Sequence, residues 1–192
     1  MATTEKLYDL WATRNPQWEK RYEDSIIANF CDYRRGNTSL REDRGKVFGA
    51  GYEIFILAFF IGLYYNQKRP LNKDAQKRKT FGQPIQYWGN IEQRGSRKPY
   101  PKIRDFIFTA LIARTDIDFI ALEKGEMTSR KAVDMLIKTM EEYANWGFHF
   151  IEDKLADDPG VFFRETAFLE VFLAFDAPSD ESADEEEPEP LD

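Results

Sequence analysis

The residue types that most often carry out catalysis or bind metals are scarce in this 192-residue chain. It contains one histidine, His149, and one cysteine, Cys31. A single residue of each type excludes a metal site built from several His and Cys ligands, and one cysteine excludes a disulfide framework. We therefore expect neither a metal site nor a cofactor.

His149 lies in the segment NWGFHFIED, close to Glu152 and Asp153, so a general base paired with either carboxylate is one interpretation. A histidine among aromatic residues more often belongs to a core or an interface. Cys31 follows Phe30 at the end of an apolar stripe, where a buried structural cysteine is expected. We predict no catalytic residues and interpret the chain as a non-enzyme, with a hydrolase using carboxylates near His149 as an alternative.

Two pairs of adjacent carboxylates are the remaining candidates for chemistry. Glu141 and Glu142 are predicted to lie in a helix, where neighbours point about 100° apart and do not converge on a metal. Asp157 and Asp158 precede Pro159-Gly160 and are typical of a turn. The chain has no GxxxxGK[ST] loop, and no GxGxxG follows a predicted strand.

The basic segment, residues 66–104, carries the most informative charge pattern. It holds eleven Lys/Arg residues against two acids, Asp74 and Glu92. Cations of this kind neutralise phosphates, and the interleaved rings of Phe81, Tyr87, Trp88 and Tyr100 could stack on unpaired bases. The predicted nucleic-acid-binding residues are Lys68, Arg69, Lys77, Arg78, Lys79, Arg94, Arg97, Lys98, Lys102 and Arg104.

An acidic tail balances this segment. Residues 176–192 hold nine acids and no base, a composition typical of disorder, whereas residues 1–175 hold 27 Lys/Arg against 25 acids. One interpretation is that the tail folds back over the basic segment and gates a nucleic-acid surface. A solvated surface neutralised by the tail, or a basic docking site for a protein, explains the same pattern.

The apolar pattern predicts one mostly α domain, residues 1–175. Ile54–Tyr65 is uncharged over 12 residues, too short for a membrane span, and predicts a buried central helix over 52–65. Helices are also expected over 4–31, with a four-residue apolar step from Trp18 to Phe30, and over 102–114, 118–125 and 161–175. A long helix capped by Thr128 or Ser129 should contain Gly147 as a break or a close contact. Residues 80–92 are compatible with a small β-hairpin.

Two pieces of the chain together resemble a known family. The first, residues 51–71 with QPI at 83–85, has an F-x-x-A-x-x-x-G helix and a basic exit ending in Pro-Leu. The second, residues 140–155, contains E-E-Y-A-N-x-G. They resemble the small accessory proteins encoded beside bacterial DNA phosphorothioation (DNA sulfur-modification) and related phage-defence genes. The matching residues are Phe55, Ala58, Gly62, Lys68, Arg69, Pro70, Leu71, Glu141, Glu142, Tyr143, Ala144, Asn145 and Gly147.

This resemblance covers residues 48–155 and implies a DNA-defence context without known catalytic residues. Together with the charge pattern, it predicts a cytoplasmic, non-enzymatic accessory protein that contacts nucleic acid, DNA in preference to RNA, and a protein partner from the same system. A protein adaptor without nucleic-acid contact is the alternative. The opening MATTEKLYDLWATRN has no signal-peptide pattern, and no membrane contact is expected.

Overall fold

Helices make up most of the computed structural model, as the apolar pattern predicts. The structure describes residues 2–31, 48–90, 98–164 and 166–173. Within them the helices are α1 (Ala2–Ala12), α2 (Ala28–Phe30), α3 (Gly51–Tyr64), α4 (Ile103–Arg114), α5 (Phe119–Glu123), α6 (Ser129–Asp157) and α7 (Ala167–Leu173). A π-helical turn, Glu23–Ile27, leads into α2, and 3-10 turns lie at Ala75–Lys77, Ile85–Tyr87 and Val161–Phe163. Strands β1 (Gln17–Glu19) and β2 (Arg78–Thr80) pair antiparallel.

The packing of α3 against α6 is the central contact of the fold. The two helices run antiparallel and meet at small residues spaced four apart on α3, Ala58 and Gly62. A Cβ at Gly62 would overlap the carbonyl oxygen of Tyr143, and a Cβ at Gly147 would overlap that of Ala58. Backbone therefore lies directly on backbone at two levels, which only glycine permits. Gly147 does not break α6; it marks the close contact.

Helix α3 is buried on nearly all sides, which confirms the predicted central helix. Phe55 and Phe59 are fully buried, and Phe55 makes edge-on ring contacts with Trp88 and Phe148. A helix that is apolar all round must be covered by other elements on every face. Here α6 covers one face, and the residues after α3 cover another.

The sheet corrects two expectations. The helical prediction over 4–31 is wrong at Gln17–Glu19, because these residues form β1, which pairs with Thr80, Lys79 and Arg78 of β2. The hairpin considered at 80–92 is also wrong over the described residues, since Ile85–Tyr87 forms a 3-10 turn. The basic segment does contribute a strand, but its partner lies about 60 residues earlier in the chain.

Other predicted helices are confirmed with changed limits. Asp118 caps α5 through the N–H of Ala121, and Thr128 caps α6 through the N–H of Lys131. The helix expected over 161–175 is divided into a 3-10 turn and α7, and residues 174 and 175 lie outside the described residues. The predicted tail, residues 176–192, also lies outside them.

Two contacts fasten the flanks of α3 to the rest of the fold. Before α3, Phe48 forms a bridge with Cys31, and the N–H of Phe48 donates to the carbonyl oxygen of Phe30 at 2.9 Å. After α3, the Tyr65 hydroxyl donates to the carbonyl oxygen of Val171 in α7 at 2.9 Å. Cys31 is fully buried, as expected. Among the described residues, no helix has the length and apolar character to cross a membrane.

Replacing Gly147 with alanine tests the close contact. The added methyl group meets backbone rather than a flexible side chain, so α3 and α6 must separate along their whole contact. We expect Gly147→Ala to lower the free energy of unfolding by about 3 kcal/mol or more. Urea denaturation followed by circular dichroism measures this loss.

Gly160→Ala is the matched control, because Gly160 has an ordinary φ of −89° and only the Asp158 side chain lies near its added methyl group. Its loss should stay below about 1 kcal/mol. Equal losses for the two variants would contradict the close packing of α3 on α6.

Candidate nucleic-acid interface

The basic segment runs back along α3 from its C-terminal end to its N-terminal end. At the start, the N–H of Arg69 donates to the carbonyl oxygen of Glu142 at 3.0 Å. Farther along, Phe81 meets Phe55 in the first half of α3, and Trp88 stacks on the ring of Tyr52 near its first residue. The 14 residues of α3 span about 20 Å, so the segment crosses the molecule along that length.

Four of the ten predicted cations project into solvent without an ion pair in the described part of the chain. They are Lys68, Lys77, Lys98 and Lys102. The Lys68 ammonium lies 4.9 Å from the centre of the Tyr143 ring. Lys73, which was not among the predicted residues, is exposed in the same way. These side chains carry charge that the fold itself does not neutralise.

Two of the other described cations, Lys79 and Arg104, have internal contacts. Lys79 forms an ion pair with Glu23 at 2.6 Å. The Arg104 guanidinium donates to the carbonyl oxygens of Pro101 and Gln86. Arg69 and Arg78 are half-buried. These contacts fix the segment to the body of the protein, and they leave the lysines as its outermost charges.

Arg94 and Arg97 lie outside the described residues, but both flanks of their stretch are well defined. The N–H of Tyr100 donates to the carbonyl oxygen of Gly89 at 2.9 Å. Gly89 has a φ of +80°, and a Cβ there would lie 2.7 Å from the carbonyl oxygen of Tyr100. The backbone on the two sides therefore meets at a position that favours glycine.

A buried carboxylate also contacts Tyr100, next to this meeting point of the backbone. Glu53, in the first turn of α3, accepts hydrogen bonds from the N–H groups of Gly49 and Ala50 and from the Tyr100 hydroxyl. Burial, together with this hydrogen bond, raises the pKa of Tyr100 and keeps its hydroxyl protonated. Sequence reasoning missed Glu53, although a lone acid in the first turn of an apolar helix is the usual signal for such a cap.

The rings of the basic segment are placed differently from the expectation. Trp88 is fully buried, Phe81 stacks on Trp18 at 5.4 Å between ring centres, and Tyr100 is turned toward Glu53. Of the four rings expected to stack on bases, Tyr87 alone is classed as exposed, at 48%. The other three hold the segment against the core.

A buried polar cluster holds the start of the segment to α6. The side-chain amide of Asn145 donates to the carbonyl oxygens of Arg69 and Pro70 and to Glu19 Oε1, at 3.1 to 3.3 Å. Glu19 Oε1 also accepts from the N–H of Asn72 at 2.8 Å. Asn145 and Glu19 are both buried, so each depends on these partners. Glu19 was not among the residues singled out from the sequence.

The two pieces that carry the family resemblance therefore lie against each other. Ala58 of the first piece touches Gly147 of the second, and the backbone of Arg69 bonds that of Glu142. Although the pieces are far apart in the sequence, they form one contact between α3, its basic exit and α6.

The adjacent carboxylates diverge, as helical geometry predicts. Glu142 faces Lys138 at 3.8 Å, whereas Glu141 Oε1 accepts from the N–H of Gln17 at 2.8 Å. Burial raises the pKa of Glu141 to about 7, although the Gln17 N–H and the charges of Arg78 and Arg14 favour its ionised form. Glu141 therefore holds β1 and titrates near neutrality.

The remaining candidates are dispersed. His149 Nδ1 lies 3.4 Å from Asp153 Oδ1, while Glu152 faces Ser25 and Arg21. Asp158 accepts a hydrogen bond from the N–H of Gly160, which confirms the predicted turn. Across the described ranges, no group of three or more His, Cys, Asp or Glu side chains is arranged to hold a metal ion.

The raised pKa of the half-buried Glu141 predicts a pH dependence of stability. The folded state binds the Glu141 proton more tightly than the unfolded chain, so ionisation removes stability as pH rises from 4.5 to about 7. We expect the unfolding free energy of the wild type to fall relative to Glu141→Gln across this window. Urea denaturation of both proteins between about pH 4 and pH 8 measures the difference.

Glu142→Gln removes the same formal charge one residue along and serves as the control. The pH-dependent difference in unfolding free energy from the wild type should appear for Glu141→Gln and not for Glu142→Gln, although both variants lose one negative charge. A constant difference between wild type and Glu141→Gln at every pH would show that Glu141 does not titrate in this window.

Comparison with known proteins found no match to this chain. No protein-family model, curated protein or solved structure matches the chain. Its function must therefore be inferred from its own residues: a lysine-bearing segment fixed along a buried helix by backbone hydrogen bonds, buried rings and two buried carboxylates.

Proposed function

We propose that this protein is a non-enzymatic accessory protein of a bacterial DNA-modification or phage-defence system, and that its basic segment contacts nucleic-acid phosphates. One observation carries the proposal. The exposed lysines of the segment lack ion-pair partners among the described residues, and the segment that bears them runs along the length of α3. Exposed cations that the fold does not neutralise favour a polyanion as the ligand.

The chemistry of the segment favours binding without sequence readout. Lysines act as point charges, and neutralising phosphates releases condensed counterions whichever bases are present. Base recognition needs side chains aimed at groove edges, whereas Arg104 is engaged with backbone carbonyls. The expected interaction is therefore strongly salt-dependent and indifferent to sequence.

The system to which we assign the protein rests on the family resemblance. Six of the residues that carry it form the contact between α3 and α6 and the attachment of Arg69 to α6: Ala58, Gly62, Arg69, Glu142, Tyr143 and Gly147. A resemblance concentrated in one structural unit supports a shared architecture better than isolated matches would. In such a system a protein partner is expected as well.

Lysine substitutions test phosphate binding. We expect Lys68→Gln, Lys77→Gln and Lys102→Gln each to weaken DNA binding and to reduce the slope of log affinity against log salt by about 0.7 to 0.9 for each phosphate that is no longer neutralised. Fluorescence anisotropy over a salt series measures both quantities. Lys124→Gln, an exposed lysine just after α5, is the matched control and should leave the slope unchanged. Absence of binding by the wild type at low salt would remove the proposal.

The acidic tail provides a second test. If it competes with phosphates for the basic segment, replacing its nine acids with Asn and Gln should strengthen DNA binding, most of all at low salt. The full-length chain is kept, so that only charge changes. Unchanged affinity would contradict gating by the tail and leave the lysine prediction standing.

A protein adaptor is the second candidate. Phe119 and Ile120 in α5 are 41% and 66% exposed, and exposed apolar side chains favour contact with a protein. In that case DNA binding is weak, a specific partner co-purifies with the protein, and Ile120→Asp weakens that association. Strong DNA binding that Ile120→Asp does not alter would favour the first candidate.

A further inference from the structure

A cleft of about 500 Å³ lies between the C-terminal part of α6 and the π-helical turn that leads into α2. On one wall, Glu152, Leu155 and Ala156 follow one face of α6 at helical spacing, and Pro159 lies just beyond the end of that helix. Sites for small organic molecules usually have volumes between about 300 and 1,000 Å³. The cleft therefore has the size of a ligand site.

The opposite wall comes from the π-helical turn and α2. Ser25 and Asn29 line it, and the Nδ2 group of Asn29 donates to the carbonyl oxygen of Ser25 at 2.8 Å. Phe30 also lines the cleft; it is 1% exposed, and its ring contacts that of Phe162 edge-on at 6.0 Å between ring centres. Single π-helical turns often occur at functional sites. Because Phe30 belongs to the core, this wall is formed before any ligand binds.

Glu152 is the one charged side chain among the described residues that line the cleft. Its Oε1 accepts from the Ser25 hydroxyl at 3.3 Å, and its Oε2 lies 3.5 Å from the Arg21 guanidinium. Arg21 lies closer to Glu19, at 3.1 Å, so one guanidinium serves two carboxylates and the three side chains keep one net negative charge. Both contacts of Glu152 are longer than a typical hydrogen bond of about 2.9 Å, so its oxygens can still accept from a ligand.

The polar groups of the cleft are mainly hydrogen-bond acceptors. The bond from Asn29 Nδ2 to the Ser25 carbonyl oxygen leaves Asn29 Oδ1 as an acceptor. The Glu152 carboxylate is an acceptor only, and the Ser25 hydroxyl donates its hydrogen to it. The other lining residues are apolar: Phe30, Leu155, Ala156 and Pro159. This combination suits a molecule with cationic N–H donors and an apolar body.

The surroundings of the cleft favour a free small molecule over a protein partner. A stable protein interface buries about 800 Å² on each side and has apolar side chains at its centre. In the part of the chain that the structure describes, none of the large apolar side chains that are exposed lines the cleft. The apolar contact that the cleft offers is therefore confined to its interior.

We propose that this cleft binds a small organic cation, an amine or guanidine compound with an apolar body. The N–H groups of the ligand donate to Glu152 and Asn29, and its apolar part lies against Phe30 and Leu155. The inference is independent of the proposed nucleic-acid contact, because the cleft and the basic segment have no residue in common.

Three probes that share a phenyl ring and differ in charge test this chemistry. They are phenethylamine, phenethyl alcohol and hydrocinnamate, each titrated into the full-length protein and followed by the NMR shifts of the backbone amides. We expect the amine to shift the amides of residues 25–30 and 152–156 with a millimolar Kd. The alcohol should bind about tenfold more weakly, because it lacks the charged donor. Hydrocinnamate should not bind, because its carboxylate would face Glu152.

Substitution of Glu152 separates charge from shape. Glu152→Gln keeps the length of the side chain, and it should weaken binding of the amine about tenfold while leaving that of the alcohol unchanged. Asp153→Asn is the matched control, because it removes the same charge from a residue whose side chain points about 100° away around α6. Asp153 is exposed and screened by salt, so this variant should keep the amine affinity within about twofold.

A larger side chain at Ala156 tests the location. Ala156 lines the cleft and is exposed, so Ala156→Phe should fill the cleft and keep the helical fold, which circular dichroism checks. We expect this variant to lose binding of both the amine and the alcohol. Ala156→Ser changes the volume little and should bind both probes as the wild type does.

Three results would overturn the inference. The first is the absence of amide shifts at the cleft with the amine at about 10 mM. The second is equal binding of the three probes, and the third is an amine affinity that Glu152→Gln leaves unchanged, because each removes the role of the carboxylate. All three leave the DNA-binding prediction untouched, since that prediction is measured without the probes.

Discussion

The contact of α3 with α6 constrains the rest of the structure. Gly62 and Gly147 let the two backbones touch, so the helices are closer than ordinary side chains allow. This closeness aligns Arg69 with the carbonyl oxygen of Glu142 and gives the chain leaving α3 a fixed direction. The basic segment thus leaves α3 along a path set by two glycines beneath it.

Buried polar groups then hold the basic segment along that path. Glu53 at one end of α3 and Glu19 near the other are both carboxylates with little access to water, and each accepts more than one hydrogen bond from the basic segment or its neighbours. Burying a carboxylate is unfavourable unless its lone pairs are satisfied. Displacing the basic segment would remove hydrogen-bond donors from Glu19 and Glu53. The two carboxylates therefore favour a single arrangement of the segment.

Much of the helical framework was predictable from the sequence, because local signals specify it. The uncharged run of α3, the Thr128 cap of α6 and the Asp118 cap of α5 depend on neighbouring residues alone. Trp18 is an exception, since its four-residue spacing to Tyr22 fits a helix while β2 recruits it into a strand. A pairing between strands that are this far apart in the sequence, such as β1 with β2, leaves no signal in the neighbouring residues.

The candidate site was predictable only where its features depend on residues that are neighbours in the sequence. The cluster of lysines is visible in the composition, whereas the burial of Trp88 and Phe81 depends on Tyr52 and Trp18, which are distant in sequence. Glu19 resembles any surface acid until its partners are known, whereas Glu53 carries the local signal of a helix cap. Phe106 shows the converse: it belongs to the helix predicted over 102–114, and it is nevertheless 64% exposed.

The bridge between Cys31 and Phe48 and the hydrogen bond between Gly89 and Tyr100 have a consequence for the stretches of chain that they close. Each contact brings together the two ends of a stretch of chain: residue 31 meets residue 48, and residue 89 meets residue 100. The entropy cost of a loop with fixed ends grows only with the logarithm of its length, about 0.6 kcal/mol for each doubling. The ends of both stretches are therefore held by backbone contacts, and these contacts do not depend on the side chains or the charge of the residues between them.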